Sequence, residues 1–116
     1  MLPNRMQLTK TVEDQLKRLK SNTNITPNVS ARIAFFRSVE SGFTFTKADE
    51  KKLDGSLVLD KITWLGETQL ITEQVLKLKY PEFEGKALQS AWAAHVEDGI
   101  AALRNHRTLN DFSNSI

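Results

Sequence analysis

Near the start of the chain, the spacing of hydrophobic positions changes from every second residue to every third or fourth. Residues 5–10 alternate between polar and hydrophobic side chains, as a strand with two different faces does. Over residues 11–20 the hydrophobic positions follow helical spacing. Two acid-first pairs four residues apart also favour a helix there: Glu13 with Lys17 and Asp14 with Arg18. The pattern predicts a short strand followed by an amphipathic helix.

A polar break over residues 21–26 separates this helix from a second one. Proline disfavours helix in the residue before it and suits the first helical position, so Thr26 is the predicted N-cap and Pro27 the first helical residue. Gly42 can take the left-handed conformation that ends a helix. The pattern predicts a helix over residues 27–41 that buries four hydrophobic side chains: Val29, Ile33, Phe36 and Val39.

The second half of the chain carries weaker signals. Residues 57–65 are rich in β-branched and aromatic side chains, and both strand and helix stay open there. A helix is expected over residues 67–79, ended by Pro81, with four hydrophobic positions: Leu70, Ile71, Val75 and Leu78. A last helix is expected over residues 85–103, with one buried stripe: Leu88, Trp92, His95 or Val96, Gly99 and Leu103.

Length and composition fit one mainly α domain. The chain has 116 residues, of which 40% are hydrophobic, enough for a single core. We expect a ribbon-helix-helix-like unit over residues 1–42, packed on an acidic helical body over residues 43–104. Residues 105–116 are predicted to form a polar tail.

The charge of the chain is divided unevenly between its two parts. Up to Arg37 there are seven basic and two acidic residues, whereas the remainder has nine basic and twelve acidic residues. A basic end on an acidic body favours a polyanion partner, and DNA is the leading candidate. The expected DNA-binding residues lie on the strand and the two helices: Arg5, Lys10, Lys17, Arg18, Lys20 and Asn28.

These residues are not equally strong candidates. Arg5, Lys10 and Lys20 have no obvious local partner, since none of them follows a carboxylate by four residues, so they are the better phosphate contacts. Lys17 and Arg18 each follow a carboxylate by four residues, and a solvated helix face explains them equally well.

The residues that most enzymes use are scarce. The chain has no cysteine, which excludes disulfides, thiolate metal sites and a cysteine nucleophile. His95 and His106 are the only histidines and lack a metal-ligand spacing, so His95 is predicted to be a packed, hydrogen-bonded side chain. We expect no catalysis, metal or cofactor. With neither a signal-peptide pattern nor an apolar run of about 18 residues, we expect a soluble, cytoplasmic protein.

Three sequence blocks carry a family resemblance. The run LKRLKSNTNITPNVSARIAFFRSVESG (residues 16–42), with WLGETQLI and AHVEDG further on, resembles the DndE family of DNA phosphorothioation proteins. That family usually has glycine where this chain has Asn24, so turn geometry or assembly there depends on this residue. We place Phe35 and Phe36 at an interface between copies, because the second helix has more hydrophobic bulk than one stripe needs. Asn24 is assigned to the same interface because of its departure from the family pattern.

The resemblance implies a small non-catalytic subunit of the machinery that replaces a non-bridging DNA oxygen with sulfur. Such a subunit works beside a cysteine desulfurase, an iron-sulfur protein and an ATPase. We expect a dimer or tetramer that binds duplex DNA, including nicked duplex, through phosphates. One alternative is a protein-interaction subunit that does not bind DNA. Another is a ribbon-helix-helix repressor in which Arg5, Gln7 and Thr9 read bases.

Overall fold

A computed structural model describes residues 1–103, most of which are helical. Two short 3₁₀ turns, Lys47–Asp49 and Gly66–Thr68, lie between the other elements. In chain order these elements are β1 (Arg5–Met6), α1 (Lys10–Thr23), α2 (Pro27–Ser41), β2 (Leu59–Asp60), α3 (Lys61–Leu65), α4 (Gln69–Lys79) and α5 (Lys86–Leu103). The predicted mainly α fold is confirmed, and the predicted tail over residues 105–116 lies outside the described residues.

The N-terminal part has the predicted order of strand, helix, turn and helix, but the strand is short. Only Arg5 and Met6 pair, in antiparallel register with Asp60 and Leu59 of the same chain. Beyond Met6 the backbone turns to other partners, because the Gln7 N–H donates to the Gln89 side chain at 2.9 Å. The partner strand of β1 lies in the segment over residues 57–65. This segment contains both a strand, β2, and a helix, α3.

α1 is longer than predicted at both ends. The Thr9 hydroxyl accepts a hydrogen bond from the Val12 N–H at 3.2 Å, which caps the first turn. At the other end Asn24 takes the left-handed conformation, with φ 61° and ψ 20°, and its N–H donates to the Lys20 carbonyl. Asparagine tolerates this conformation better than most side chains, so the helix continues to Thr23 before it ends.

α2 has the predicted bounds, but it buries a different face. Its buried residues are Ser30, Ala31, Ala34, Phe35 and Ser38, whereas Val29 is 36% exposed. The reason is a close approach between α2 and α5: a Cβ on Gly99 would lie 1.9 Å from the Ala34 carbonyl oxygen. Small side chains permit this contact, so the prediction that the bulkier residues form the buried stripe was wrong for Val29.

α5 lies at the centre of the core, and its predicted stripe is confirmed. Leu88, Trp92, Val96 and Leu103 are at most 1% exposed, and His95 and Gly99 are also buried. Trp92 packs edge-on against Trp64, with ring centroids 5.5 Å apart. The Trp64 indole N–H donates to the Met6 carbonyl, which ties β1 to the same core.

α4 differs most from the predicted pattern. Leu70, Ile71 and Leu78 are 66%, 53% and 84% exposed, although the pattern predicted them as the hydrophobic face. The buried face instead carries Thr72, Glu73 and Leu76. The Glu73 carboxylate accepts hydrogen bonds from the Leu2 N–H at 3.0 Å and from Lys61 Nζ at 3.2 Å, and these contacts fix which side of α4 faces inward.

Candidate nucleic-acid interface

One side of α1 presents a row of lysines to solvent. Lys10, Lys17 and Lys20 lie within an arc of about 80° at ~100° per residue, and all three are exposed. We call them the lysine face. Arg18 lies about 80° beyond Lys10 on the other side and is also exposed. The lysine face points outward because the opposite side of α1 carries the buried hydrophobic residues: Val12, Leu16 and Leu19.

Glu13 shares this arc, yet its carboxylate points into the protein. Only 3% of the residue is exposed, and it accepts hydrogen bonds from the Ser56 N–H at 2.8 Å and the Ser56 hydroxyl at 3.1 Å. Lys17 Nζ lies 3.2 Å from the same carboxylate. Burial acts to raise the pKa of the Glu13 carboxyl, but the hydrogen bonds from Lys17 and Ser56 outweigh it and lower the pKa. Glu13 is therefore charged, paired and turned away from solvent.

The turn over residues 54–56 holds α1 in place at two points. Asp54 Oδ1 accepts a hydrogen bond from the Lys10 N–H at 2.8 Å, and this bond is the main reason that the pKa of Asp54 is lowered. Gly55 lies so close to α1 that an added Cβ would meet the Glu13 carboxylate at 2.6 Å and the Leu8 carbonyl at 2.7 Å. Only glycine fits this approach without movement of the turn. The sequence pattern gave no sign of these contacts, which span more than forty residues.

The other predicted basic residues have different surroundings. Arg5, predicted to lack a partner, donates to the Asp60 carboxylate and to the Val58 carbonyl at 3.3 Å each, although its side chain is 65% exposed. The expected Asp14–Arg18 pair is absent from the ion pairs of residues 1–103, which leaves Arg18 on the surface. Arg5 thus pairs with a carboxylate that the tertiary fold brings close, whereas the sequence neighbours Asp14 and Arg18 do not pair.

Asn28 lies away from the lysine face, at the start of α2. Its side-chain amide donates to the Thr63 carbonyl at 3.1 Å. Arg32 donates to the same carbonyl at 3.0 Å and to the Trp64 carbonyl at 2.8 Å. These bonds satisfy carbonyls at the end of α3, so the Asn28 side chain already has a contact within the protein.

The three predicted interface residues are not equivalent. Phe35 is 1% exposed and belongs to the core of the monomer, which corrects its assignment to a surface between copies. Phe36 is half-buried and packs edge-on against Phe35, with centroids 5.1 Å apart. Asn24 is exposed in the turn between α1 and α2. The predicted homo-oligomer stays a prediction, with Asn24 and Phe36 as its accessible residues.

His95 is packed and hydrogen-bonded, as predicted. Its Nδ1 lies 2.9 Å from the Ser38 hydroxyl and its Nε2 lies 2.7 Å from the Tyr80 hydroxyl. Ser38 in turn donates to the Asp98 carboxylate at 2.8 Å, so the serine stands between the histidine and the aspartate. Burial lowers the pKa of His95 to about 4. Neither His95 nor Ser38 has exposed surface, so this cluster offers no accessible nucleophile.

The described part of the chain has neither a metal-binding cluster nor a membrane-spanning helix. Residues 1–103 contain no group of three or more side chains placed to hold a metal ion. In the same range, no helix has the length and hydrophobicity needed to cross a membrane. His106 lies outside the described residues.

The fold and this surface define a class: a small helical protein that presents lysines on an outer helix and holds a hydrogen-bonded histidine in its core. The family described as "DNA sulphur modification protein DndE" matches residues 5–111, and the chain belongs to that family. It is therefore a component of the DNA phosphorothioation system. The comparison with curated proteins found no match.

Two solved structures show how close this relationship is. DndE from Escherichia coli B7A, involved in DNA phosphorothioation modification, is 69% identical, with a TM-score of 0.85. The match covers 89% of this chain and 99% of that chain. A DndE mutant with two glycine-to-lysine substitutions is 68% identical, with a TM-score of 0.83, over 88% of this chain and 98% of that one.

Proposed function

We propose that this protein is a non-catalytic, cytoplasmic DNA-binding subunit of the phosphorothioation system, and that the lysine face of α1 holds the DNA backbone. The observation that carries the proposal is the arrangement of charge on α1. Three lysines point outward along one arc while the acid in that arc, Glu13, is turned inward and paired. Such a surface attracts phosphates, and phosphate contacts carry no direct sequence information.

The length of the lysine face suits several consecutive phosphates. Lys10 and Lys20 are separated by about 15 Å along the helix axis at ~1.5 Å per residue. A DNA strand carries one phosphate per ~3.4 Å of duplex axis, so this distance corresponds to roughly four phosphates. Contacts of this kind bind any sequence, and they favour a duplex that bends easily. A nick lowers the cost of bending, so we expect nicked duplex to bind more tightly than intact duplex.

A non-catalytic role agrees with the chemistry available in the chain. There is no cysteine to carry sulfur, and the buried Ser38 and His95 are out of reach of a DNA strand. Sulfur transfer would then belong to other components of the system. The repressor alternative is less favoured, because the Gln7 side-chain amide already donates to the carbonyls of Leu53 and Gly55 at 2.7 and 3.0 Å. A side chain engaged in this way does not read a base.

The test compares two double variants that each lose two positive charges. Lys10→Gln with Lys20→Gln removes both ends of the lysine face, and Lys47→Gln with Lys79→Gln removes charges elsewhere as a matched control. Affinity for a duplex of arbitrary sequence is measured across a salt series. The first variant should bind at least tenfold more weakly than the control, and its log–log salt slope should be smaller by about 2, because each lost phosphate contact removes roughly one unit.

The same experiment distinguishes the alternatives. Equal affinity of the two double variants would remove the lysine face as the DNA surface, and absent binding by the wild-type protein would favour the protein-interaction subunit. Unlabelled intact duplex should compete poorly with labelled nicked duplex of the same sequence. Equal competition would contradict the preference for a nick, and strong dependence on one sequence would restore the repressor alternative.

A further inference from the structure

A basic concavity lies outside the lysine face, between the loop over residues 50–53 and the start of α5. It encloses about 320 Å³. That volume is at the small end of the ~300–1,000 Å³ typical of ligand pockets. We call it the Lys52–Lys86 cavity. Four charged side chains line it, Glu50, Lys51, Lys52 and Lys86, together with the polar side chains of Gln7, Gln89 and Ser90.

The walls of the cavity are fixed by hydrogen bonds. The Gln89 side chain accepts from the Gln7 N–H, and the Gln7 side chain donates to the Leu53 carbonyl, so the loop and α5 are both tied to the segment after β1. The Ser90 hydroxyl donates to the Glu50 carboxylate at 3.2 Å, which fixes the loop to α5 a second time. The cavity is thus a preformed feature of the fold.

The charges of the lining are unevenly paired. Lys51 is engaged by the Glu97 carboxylate at 2.9 Å. Lys52 and Lys86 form no ion pair among the residues that the structure describes, and both are exposed. Glu50 is the one acidic residue among the lining side chains, and its carboxylate accepts the Ser90 hydrogen bond. Two unpaired ammonium groups against one carboxylate leave the cavity positive.

The position of Lys86 adds to this positive character. Lys86 is the first residue of α5, the longest helix described, and the first turn of α5 contains no acidic residue. A helix N-terminus carries a partial positive charge, so a lysine there is unfavourable unless an anion is bound nearby. A local arrangement that opposes helix stability is often found where function requires it.

The cavity lies close to the start of the lysine face. Asp54 accepts the Lys10 N–H bond at the start of α1. Lys52 and Lys10 both lie close enough to Asp54 for their charges to help lower the pKa of its carboxyl. Lys10 and Lys52 therefore flank the same residue, which places the cavity near the start of the lysine face.

We propose that the Lys52–Lys86 cavity binds one phosphate group, held by the ammonium groups of Lys52 in the loop and Lys86 at the start of α5, near the end of the DNA path along α1. This inference deepens the proposed function and rests on it. The phosphate has two possible sources with the same chemistry: a backbone diester of the duplex, or the monoester at a strand end in nicked DNA.

The test combines a double variant with a titration of the wild-type protein. Lys52→Gln with Lys86→Gln removes the two ammonium groups, and the Lys47→Gln, Lys79→Gln variant again serves as the control with equal loss of charge. Binding is measured to two nicked duplexes, one with a 5′-phosphate and one with a 5′-hydroxyl at the nick. We expect the cavity variant to bind about tenfold more weakly than the control, with a salt slope smaller by about 1.

The two duplexes identify the source of the phosphate. If the cavity takes a strand-end phosphate, the 5′-hydroxyl duplex binds the wild-type protein more weakly and the cavity variant treats both alike. If it takes a backbone phosphate, the variant loses the same factor on both duplexes. Either result supports the site. Equal affinity of the cavity variant and the control on both duplexes overturns it while leaving the lysine face intact.

Inorganic phosphate tests the cavity without DNA. Titration into the wild-type protein at constant ionic strength, with chloride as the compared anion, should give saturable shifts of the backbone amide NMR signals at residues 51–53 and 86–89. Those shifts should be absent from the Lys52→Gln, Lys86→Gln variant. If the wild-type protein binds no duplex, the proposed function fails and this titration alone decides the cavity. Shifts that do not saturate, or that chloride reproduces, overturn the proposal.

Discussion

At the scale of single residues, the hydrogen bonds around His95 define its protonation state. The Ser38 hydroxyl donates its hydrogen bond to the Asp98 carboxylate, so the Ser38 oxygen accepts a hydrogen bond from the His95 Nδ1–H. The Tyr80 oxygen accepts from the Phe45 N–H, and its own proton goes to His95 Nε2. Every group in this hydrogen-bond network has a partner when the imidazole is neutral. A second ring proton, on Nε2, would place an N–H donor opposite the Tyr80 O–H donor in a buried site.

This arrangement predicts that the protein loses stability in mild acid. The pKa of His95 is about 4 in the folded chain, against an ordinary value of 6.5. Because the unfolded chain binds the proton more readily, the stabilisation is complete above pH 6.5 and is lost as the pH falls toward 4. The free energy of unfolding should fall by roughly 2 kcal/mol between pH 7.5 and pH 5.

Denaturant unfolding at several pH values measures this loss. The interval from pH 6.5 to 5 lies above the range in which Glu84 takes up a proton, since Lys77 and the N-terminal ammonium hold the pKa of Glu84 near 2. The Glu13 carboxyl, whose pKa is also lowered, stays charged there as well. A free energy of unfolding that is constant across this interval would contradict the buried neutral histidine.

At the scale of the elements, the ends of α2 were easier to predict than the buried faces of α2 and α4. Thr26, Pro27 and Gly42 are local signals, and α2 has the predicted bounds. The buried faces of α2 and α4 depend instead on distant partners. The Ala34–Gly99 approach favours small residues, and the buried Glu73–Lys61 pair turns a charged residue inward. Hydrophobic spacing alone contains no information about either contact.

The assignment of faces on α4 leads to a stability prediction with an internal control. Leu76 is 1% exposed and Leu78 is 84% exposed, although they are two residues apart on one helix. Leu76→Ala should lower the free energy of unfolding by about 2–5 kcal/mol, whereas Leu78→Ala should change it by at most about 0.5 kcal/mol. Urea unfolding of the two variants measures both values, and the reverse order would restore the originally predicted face.

The candidate site shows the same difference between local signals and distant contacts. The lysines of α1 were recognisable in the sequence because charge and helical spacing are local properties. The residues that orient this surface were not, because Asp54 and Ser56 reach α1 from more than forty positions away. Arg5 pairs with the carboxylate of Asp60, which lies fifty-five positions further along the chain. Tertiary contacts of this kind need the fold before they can be named.

At the scale of the whole molecule, the basic and acidic parts form one structure. α2 from the basic part packs along α5 from the acidic part, and the hydrophobic core is continuous through both. The turn over residues 54–56, which belongs to the acidic part, is fastened to the basic helix α1. The uneven charge seen in the sequence is thus retained on the surface without separating the chain into two domains.

The edge-on contact between Trp64 and Trp92 also provides an optical signal. These are the only two tryptophans in the chain, and each is 1% exposed. Their shared emission therefore reports on the centre of the core, where β1, α3 and α5 meet. A ligand held by surface lysines does not touch either indole, so intrinsic fluorescence should stay unchanged when DNA binds and should change only when the core opens. Each lysine variant can consequently be checked for folding in the same cuvette in which its DNA affinity is measured with a separate label.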